Sequence, residues 1–201
     1  MDLKAISSAD LADTWVYNKL LVSLCQGIAC GTDSREAPEI YRGKWVVIRP
    51  IINLEGMGLG STMDRLKLEE NNIPPGHFWQ QKFEGRHLSI DYEYGTPMLW
   101  VEMFREDTAP YRRGWRKVEP VTIPVPQKIL DVIKKYPKAN IEFIDDAAIE
   151  VHLRGNPDFV GHRSEYVIPY NKSTPMSQII EGERVILRPD YGREGFIIKE
   201  E

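Results

Sequence analysis

Alternation of apolar and polar side chains predicts that much of this chain forms β-strands. In residues 86–94, four apolar side chains fall at every second position: Leu88, Ile90, Tyr92 and Tyr94. A period of two is typical of an antiparallel strand with one buried face. A turn at residues 95–97 and a partner strand at residues 98–105 would complete a hairpin.

Other strands are predicted where β-branched and aromatic residues are concentrated. Residues 44–50 are rich in such side chains, which favours a strand buried on both faces. Residues 62–77 contain paired Asn and paired Pro residues, so we expect no regular element there. The remaining strands are predicted at residues 77–83, 140–144, 148–153, 166–168, 184–187 and 195–198.

Two segments have the spacing of helices. Residues 10–26 place apolar side chains on or near one stripe, with Ser7 or Ser8 available as a cap and Gly27 placed to end the helix. Residues 127–136 follow a proline-rich stretch and have one apolar side. The stripe of the first helix comprises Leu11, Trp15, Leu20, Leu21, Leu24 and Cys25.

Size and composition are those of an ordinary globular protein. The 201 residues are 42% hydrophobic and 28% charged, which suits one sizeable core or a core with a small appendage. No apolar run approaches the roughly 20 residues that span a bilayer, and the first residues lack the apolar segment of a secretory signal. We therefore expect a cytoplasmic protein without membrane contact. The net charge of −4 argues against bulk attraction to nucleic acid.

Two local features modify this picture. Residues 112–117 contain four cations around Trp115, a cluster more typical of a solvated loop or a phosphate clamp than of an RNA site. Cys25 and Cys30 have no second cysteine pair with which to complete a zinc site. One buried thiol and one incidental thiol are the simplest interpretation.

A candidate phosphate site follows the strand at residues 44–50. Glycines at every second position allow a tight turn whose backbone N–H groups converge, and the preceding arginine supplies positive charge. The spacing matches neither a Walker A loop nor the dinucleotide fingerprint. A phosphate cradle and an ordinary hairpin loop both remain open. The residues are Arg49, Gly56, Gly58, Gly60 and Ser61.

A second candidate site lies on the strand at residues 148–153. Strand alternation puts Glu150, His152 and Arg154 on one face. Hairpin pairing would bring Glu142 beside them. Two carboxylates and an imidazole can hold a divalent cation, and a neighbouring arginine can clamp phosphate oxygens. An ordinary polar, solvent-facing strand is the alternative.

In this order, the motifs resemble the ATP-grasp superfamily. That family has a lysine-bearing helix ending in Gly-Ile, a strand with a phosphate-binding cation, a glycine-rich loop, a hinge strand with Glu or Gln before a Gly, and a late Glu-x-Asn-x-Arg strand. The likeness covers about residues 10–160, and a compact version is similar to ATP-grasp-like proteins of tailed bacteriophages. The matching positions are Asn18-Lys19 with Gly27-Ile28, Arg49-Pro50, Gly56 to Gly60, Gln80 to Asp91, and Glu150 to Arg154.

The resemblance implies roles for individual residues. Residues 56–61 would form a mobile lid, residues 80–83 would form the hinge that reads adenine, and Arg154 and Arg49 would act in phosphoryl transfer. Mg²⁺ would be held by Glu142, Glu150 and His152. ATP would be bound by Lys19, Arg49, Gly56, Gly58, Gly60, Ser61, Gln80, Gln81, Lys82, Phe83 and His87.

Three positions depart from the family pattern. Arg49 stands in place of a lysine, and a planar guanidinium must meet phosphate with a different geometry. His152 stands in place of a metal-binding Asn, which exchanges an oxygen ligand for a nitrogen. Gln80 stands in place of the hinge acid.

The resemblance also implies an architecture. We expect an α+β fold in which two small lobes with mainly antiparallel sheets enclose a nucleotide cleft, followed by a small β-rich cap. The expected domains are a nucleotide-binding core at residues 1–163, with a lid lobe at about residues 30–78, and the cap at residues 164–201. Family enzymes carry a preceding substrate domain. Because the likeness begins close to Met1, we expect a homo-oligomer or a partner chain to supply that surface.

The activity implied is ATP-dependent ligation of a carboxylate to an amine or thiol through an acylphosphate. The carboxylate would belong to a small molecule or a peptide. The acceptor surface would be built from residues 112–117, residues 158–163 and the cap. Two alternatives remain open. One is a catalytically inactive nucleotide-binding regulator or sequestering protein, and the other is a viral structural or interaction protein.

Overall fold

The computed structural model describes residues 2–52, 60–106, 112–171, 173–174, 178–190 and 193–200. Within these ranges the chain forms two antiparallel sheets with short helices, so the predicted α+β fold with mainly antiparallel lobes is confirmed. The α-helices are α1 (Asp2–Ser8), α2 (Lys19–Leu24) and α3 (Gln127–Ile133), and 3₁₀ helices cover Leu11–Tyr17, Ser34–Glu36, Glu39–Tyr41 and Pro157–Phe159.

The strands alternate with short connections along the whole chain. In chain order they are β1 (Cys30–Gly31), β2 (Trp45–Pro50), β3 (Thr62–Arg65), β4 (His77–Gln81), β5 (His87–Glu93), β6 (Thr96–Glu106), β7 (Arg112–Lys117), β8 (Ala139–Ile144), β9 (Ala147–His152), β10 (Ser164–Tyr170), β11 (Glu183–Asp190) and β12 (Arg193–Glu200).

The small sheet has four strands in the order β1-β4-β2-β3, and it occupies residues 30–81. Its own hydrophobic cluster is centred on Val46, Ile48 and Trp79, with Leu66 and Ile73 from the loops. The predicted strand at residues 44–50 is therefore present as β2. Its burial on both faces is not complete, because Trp45 remains 51% exposed.

The large sheet has eight strands in the order β11-β12-β10-β7-β6-β5-β8-β9. Helices α2 and α3 and the Leu11–Tyr17 turn contribute to the hydrophobic cluster on one face of β5, β8 and β9. The N-terminal helices thus belong to the large sheet, although the small sheet follows them in the chain. The chain crosses to the small sheet after α2 and returns through residues 82–86, which join β4 to β5.

The predicted single helix at residues 10–26 is wrong. Asn18 has an extended backbone (φ −87°, ψ 101°), and its side chain accepts a hydrogen bond from the Leu21 N–H at 3.0 Å. An asparagine that caps a new helix in this way ends the preceding turn. The cap of the first turn is Asp10, rather than Ser7 or Ser8. The predicted stripe fails with the single helix, since Leu11 is 87% exposed.

Three further local predictions are corrected by long-range pairing. Residues 62–77 include a regular element, β3, whose side chains are exposed and whose backbone pairs with β2. The hairpin turn between β5 and β6 is at Tyr94–Gly95, both with positive φ, instead of residues 95–97. The basic residues 112–117 form strand β7 between β6 and β10 rather than a loop. Pairing on both sides overrides a composition that locally favours a loop.

The C-terminal strands extend the large sheet. Strand β10 pairs with β7 and β12, and β12 pairs with β11. The division into a core at residues 1–163 and a cap at residues 164–201 stays a prediction. In the described part of the chain, no helix has the length and apolar character that crossing a bilayer would require.

Both cysteines are free and partly buried. Cys25 lies just after α2, next to the large-sheet cluster, and Cys30 lies in β1. Burial raises the pKa of the Cys30 thiol to about 11, and burial also raises the pKa of Cys25. Both thiols are therefore protonated at neutral pH, as expected of structural side chains.

At Gly114, strands β7 and β10 lie too close together to leave room for a side chain. A Cβ there would overlap the carbonyl oxygen of Val167 and lie 2.9 Å from Ile168 Cγ1. We expect Gly114→Ala to lower the free energy of unfolding by roughly 3 kcal/mol, because backbone atoms must move. Urea unfolding followed by circular dichroism measures this.

The matched control is Gly161→Ala. Gly161 has φ +88°, but an added Cβ would meet no atom within 4 Å. We expect a loss of about 1 kcal/mol from backbone strain alone. Equal losses in the two variants would contradict the close approach of β7 and β10.

Candidate functional site

A cavity of about 600 Å³ lies between the two sheets. The small sheet contributes residues of β2 and β4, and the large sheet contributes residues of seven described strands, β5 to β10 and β12. The segment that joins β9 to β10, residues 153–163, also lines the cavity and is called the connector below. A concave site between two lobes is a common position for small-molecule binding.

An acidic and imidazole cluster forms part of the cavity wall. Glu142 of β8 pairs with Glu150 of β9 across the hairpin, as strand alternation and pairing predicted. Together with His152 they offer three ligand atoms that lie within 4.8 Å of one another. Glu150 and His152 are buried. This face therefore lines a cleft and is not an ordinary solvent-facing strand surface.

Two cations from outside the large sheet contact Glu150. Lys19 Nζ lies 2.9 Å from Glu150 Oε2, and Arg49 Nη2 lies 3.2 Å from the same oxygen. Arg49 also donates to the Ile149 carbonyl at 3.3 Å. All three charged side chains are at least nine-tenths buried. The contacts connect α2, the small sheet and the large sheet at one carboxylate.

Local structure explains how Lys19 reaches this point. Asn18 caps α2, so Lys19 is the first residue of that helix. Its N–H donates to the Ile51 carbonyl at 2.9 Å, just after the end of β2. The start of the helix is thus fixed beside the strand that carries Arg49. Lys19 itself lies behind Glu150 and does not line the cavity.

The pKa values of this cluster are shifted by burial and by charge. Burial favours the neutral acid, but Lys19, His152 and Arg49 outweigh it and hold the pKa of Glu150 below its ordinary range. Burial is the main cause of the lowered pKa of Lys19, which Glu150 partly opposes. Glu150 is consequently ionised at neutral pH.

His87 lies on the other side of the cluster. Its Nε2 is 3.1 Å from Glu142 Oε2, and its ring meets Trp115 edge-on at 5.1 Å. Burial raises the pKa of Glu142, but the hydrogen bond from His87 helps to keep that pKa below its ordinary range. His87, one of the predicted ATP-binding residues, therefore borders the predicted metal ligands.

The predicted hinge residues are divided between the cavity and the surface. Gln80 and Phe83 line the cavity, and Gln80 Nε2 donates to Ser23 Oγ at 2.9 Å. Gln81 accepts a hydrogen bond from Tyr41, and Lys82 pairs with Glu84 at 2.6 Å. The side chains of Gln81 and Lys82 are thus engaged elsewhere.

The predicted lid is only partly described. Gly56 and Gly58 lie outside the described residues. Ser61 lines the cavity, and Gly60 adopts φ +75° next to Pro50. Arg154 also lines the cavity, and its Nη1 donates to the Gly155 carbonyl at 3.0 Å.

Several cavity residues were missed in the sequence. Asn140 pairs with His152 in the sheet and donates to Asp91 Oδ1 at 2.8 Å, and the Asn156 N–H donates to the same oxygen at 2.8 Å. Burial raises the pKa of Asp91. Extending the polar face from β9 across β8 to β5 would have identified Asn140 and Asp91.

A second missed pair has no local sequence signal. Arg193, at the start of β12, donates from Nη1 to Asp158 Oδ1 of the connector at 3.1 Å. Both side chains are at least nine-tenths buried. Burial raises the pKa of Asp158, and Arg193 opposes that shift. Only the fold brings these residues together, because 35 positions separate them.

The donor set of the Glu142–Glu150–His152 cluster fits a divalent cation. Two carboxylates and one imidazole lie close enough to share one ion. Carboxylate oxygens suit Mg²⁺, and an imidazole nitrogen suits a transition metal ion better. Both Glu150 oxygens already have protein partners, however, in Lys19, Arg49 and His152.

Comparison with known proteins gives matches among solved structures. They include the ATP-grasp ligase PsnB complexed with a minimal precursor, at 9% identity over 73% of this chain and 54% of that chain (TM-score 0.47). A further match is an ATP-grasp superfamily protein from Archaeoglobus fulgidus, at 14% identity over 94% and 66% (0.48). D-alanine–D-alanine ligase from Bacillus anthracis matches at 11% identity over 76% and 64% (0.46).

Two of these three proteins carry the ATP-grasp name that the sequence resemblance suggested. This chain spans between about half and two thirds of the length of each. No protein-family model and no curated protein matches the sequence. These likenesses are ones of fold, and we draw nothing from them about the chemistry of the cleft.

Removing the charge of Glu150 tests the cluster. In Glu150→Gln, Lys19 and Arg49 stay buried without their counter-charge, and we expect the free energy of unfolding at pH 7 to fall by about 3 kcal/mol. Denaturant unfolding measures the loss. The control, Glu142→Gln, alters a side chain that is 24% exposed. We expect that control to lose about 1 kcal/mol or less.

We also predict that the stability difference between wild type and Glu150→Gln depends on pH. The folded-state pKa of Glu150 is lowered, so the stability that its charge contributes is present above the unfolded-state pKa of about 4.3. That contribution is lost as the pH falls through the folded-state pKa. We expect the stability difference between wild type and Glu150→Gln to shrink steadily below about pH 4. A difference that stays constant would contradict the assignment.

Proposed function

We propose that this protein binds ATP in the cleft and uses it to join a carboxylate to an amine or a thiol. The observation that carries the proposal is the convergence of Lys19 and Arg49 with Glu142, Glu150 and His152. Two cations and a candidate metal cluster, brought from different parts of the chain to one point, suit a polyphosphate with a bridging cation.

The negatively charged carboxylate of Glu150 occupies the position beside Lys19 and Arg49 that a phosphate oxygen would otherwise take. A triphosphate that enters the cleft would exchange with Glu150 as the partner of Arg49, and then of Lys19. Glu150 would then turn its carboxylate toward the cation that accompanies the nucleotide. Apolar cavity residues provide a surface for the base: Val47, Phe83, Ile144 and Ile149.

A divalent cation held by Glu142, Glu150 and His152 would neutralise charge on the phosphates. The protein's own contribution is to hold the backbone of these three residues and the side chain of Glu142 in place. Glu142 is fixed by His87, and Glu150 and His152 contact each other at 3.3 Å. Both glutamates lie on paired strands, which position side chains more firmly than loops do.

The reaction follows from the charges. An oxygen of the substrate carboxylate attacks the γ-phosphorus, and the bond to the ADP oxygen breaks, which gives an acylphosphate and ADP. The amine or thiol then attacks the acyl carbon, expels inorganic phosphate and loses its proton. Arg154 lines the cavity and would balance the charge of the transferring phosphoryl group. No side-chain nucleophile is needed.

A second candidate is nucleotide binding without ligation. The specific observation in its favour is that Arg49 is a guanidinium held by both Glu150 and the Ile149 carbonyl. A guanidinium held by two hydrogen bonds can position a bound phosphate, but it cannot easily move with a phosphoryl group during transfer. Product release during substrate screening distinguishes the two candidates.

Nucleotide binding is the first test. We expect ATP with Mg²⁺ to bind in calorimetry, and Lys19→Met to weaken the affinity at least 10-fold, since a buried charge partner of the phosphates is lost. The control is Lys82→Met, which changes an exposed lysine outside the cavity and should leave the affinity within 2-fold. Absence of binding at millimolar ATP would refute the proposal.

The role of Arg154 is the second test. We expect Arg154→Ala to lower ADP and phosphate release at least 100-fold while nucleotide affinity stays within 3-fold, because its charge acts on the transition state. Release is measured across a panel of amino acids and short peptides. Arg35→Ala, which changes an exposed arginine that does not line the cavity, should keep full activity. Equal turnover in wild type and Arg154→Ala would contradict the assigned role.

A further inference from the structure

Two arginines line the cavity from strands other than those that carry the Glu142–Glu150–His152 cluster. Arg113 lies on β7 and Arg193 begins β12, whereas Glu142 lies on β8. Strands β7 and β8 are three positions apart in the sheet, and β12 is two positions farther. At about 4.8 Å per strand, the backbone of β7 lies roughly 14 Å across the sheet from the backbone of β8.

Arg193 has a fixed position and an unused donor. Its side chain is 6% exposed, its Nη1 donates to Asp158 at 3.1 Å, and its guanidinium lies 4.7 Å above the Phe196 ring. Its Nε is buried and has no hydrogen-bond acceptor among the described residues. A buried N–H without an acceptor costs free energy, and most such groups in folded proteins have a partner. An oxygen atom of a ligand in the cavity would provide one.

Arg193 is not the sole arginine in the described residues that holds the connector. The connector is also held by Arg188, which donates to the Val160 carbonyl at 3.1 Å and lies 5.8 Å from the same Phe196 ring. Arg188 does not line the cavity, and Arg193 does. Arg188 of β11 and Arg193 of β12 therefore both bind the connector, but of these two only Arg193 lines the cavity.

The charge of this region is positive. Arg113 and Arg193 line it together with one carboxylate, Asp158, which gives a formal charge of +1. Arg113 is exposed, and its Nε donates to Met103 Sδ at 3.2 Å, a weak acceptor that carries no charge. A guanidinium recognises carboxylate and phosphate oxygens with two parallel hydrogen bonds.

We propose that Arg193 and Arg113 form an anion subsite for a second negatively charged group of the substrate. This inference rests on the proposed function and names the substrate class: a carboxylic acid that carries a further carboxylate or a phosphate. The group to be activated lies near Arg154 and the metal cluster, and the further anion lies against Arg193 and Arg113. An acid with a single carboxylate uses that group in the reaction and has no second anionic group to accept a hydrogen bond from the Arg193 Nε.

Calorimetry with small anions tests the subsite. The full-length protein with saturating Mg-ADP is titrated with glutarate, with inorganic phosphate and with butyrate. We expect glutarate or phosphate to bind at least 10-fold more tightly than butyrate. The stronger of the two indicates whether the second group is a carboxylate or a phosphate. Equal affinities for all three would overturn the proposal.

Variants then locate the binding. Arg193→Lys keeps the charge next to Asp158 and removes Nε, and we expect at least a 10-fold loss of affinity for the preferred anion with ADP affinity within 2-fold. The matched control, Arg188→Lys, should bind like wild type. If Arg193→Lys binds the anion as Arg188→Lys does, the subsite is refuted.

A further variant tests the subsite at an exposed residue, where a substitution is not expected to impair folding. Arg113 is exposed, so Arg113→Gln does not disturb the core. It should weaken the preferred anion at least 5-fold, and wild-type affinity would overturn the proposal even if Arg193→Lys failed to fold. If ADP does not bind while the anion pattern holds, the proposed function fails and the subsite stands. If ADP binds while the anion pattern is absent, nucleotide binding stands and the subsite is refuted.

Discussion

A single buried carboxylate, that of Glu150, holds a lysine from α2 and an arginine from the small sheet within 3.2 Å. Burying three charges is favourable only when each finds partners, because the cost of removing an ion from water is several kcal/mol. Here both cations share one oxygen, and His152 contacts the other. The positions of α2, β2 and β9 therefore depend on one another through this contact.

The dependence matters because the two sheets have separate hydrophobic clusters. The small sheet is centred on Trp79 and Ile48, and the large sheet packs its own residues with the helices. In the described residues, contacts across the cleft include the polar ones of Arg49 and the packing of cavity side chains. Polar contacts at a cleft can be exchanged for contacts with a ligand, whereas a shared hydrophobic core cannot be opened at comparable cost.

The sequence predicts the elements of the site better than it predicts their assembly. A two-residue turn joins β8 to β9 and would by itself place Glu142 opposite Ile149, but a register shift between Glu142 and Phe143 places it opposite Glu150. The α+β fold follows from the same patterns. Local patterns fail at Asn18, where a polar residue in a helical stretch starts a new helix, and at residues 112–117, where strand pairing decides the structure.

Contacts between distant residues carry no local signal. Lys19 reaches Glu150 because its N–H bonds to Ile51, and Arg193 meets Asp158 because the connector runs from the edge strand β9 to β10. Such contacts depend on how whole elements pack, and side-chain type gives no indication of the partner. A buried arginine at the start of a C-terminal strand is therefore visible only in the folded chain.

The arrangement at Glu150 has a thermodynamic consequence for the proposed function. Lys19 and Arg49 have already lost their water to pair with Glu150, so a phosphate that takes its place does not have to dehydrate them again. The phosphate must, however, leave Glu150 buried beside Glu142 without its two cations. A divalent cation held by Glu142, Glu150 and His152 would supply the missing positive charge. Under the proposed function, polyphosphate and cation would therefore each bind weakly alone and would each strengthen the binding of the other.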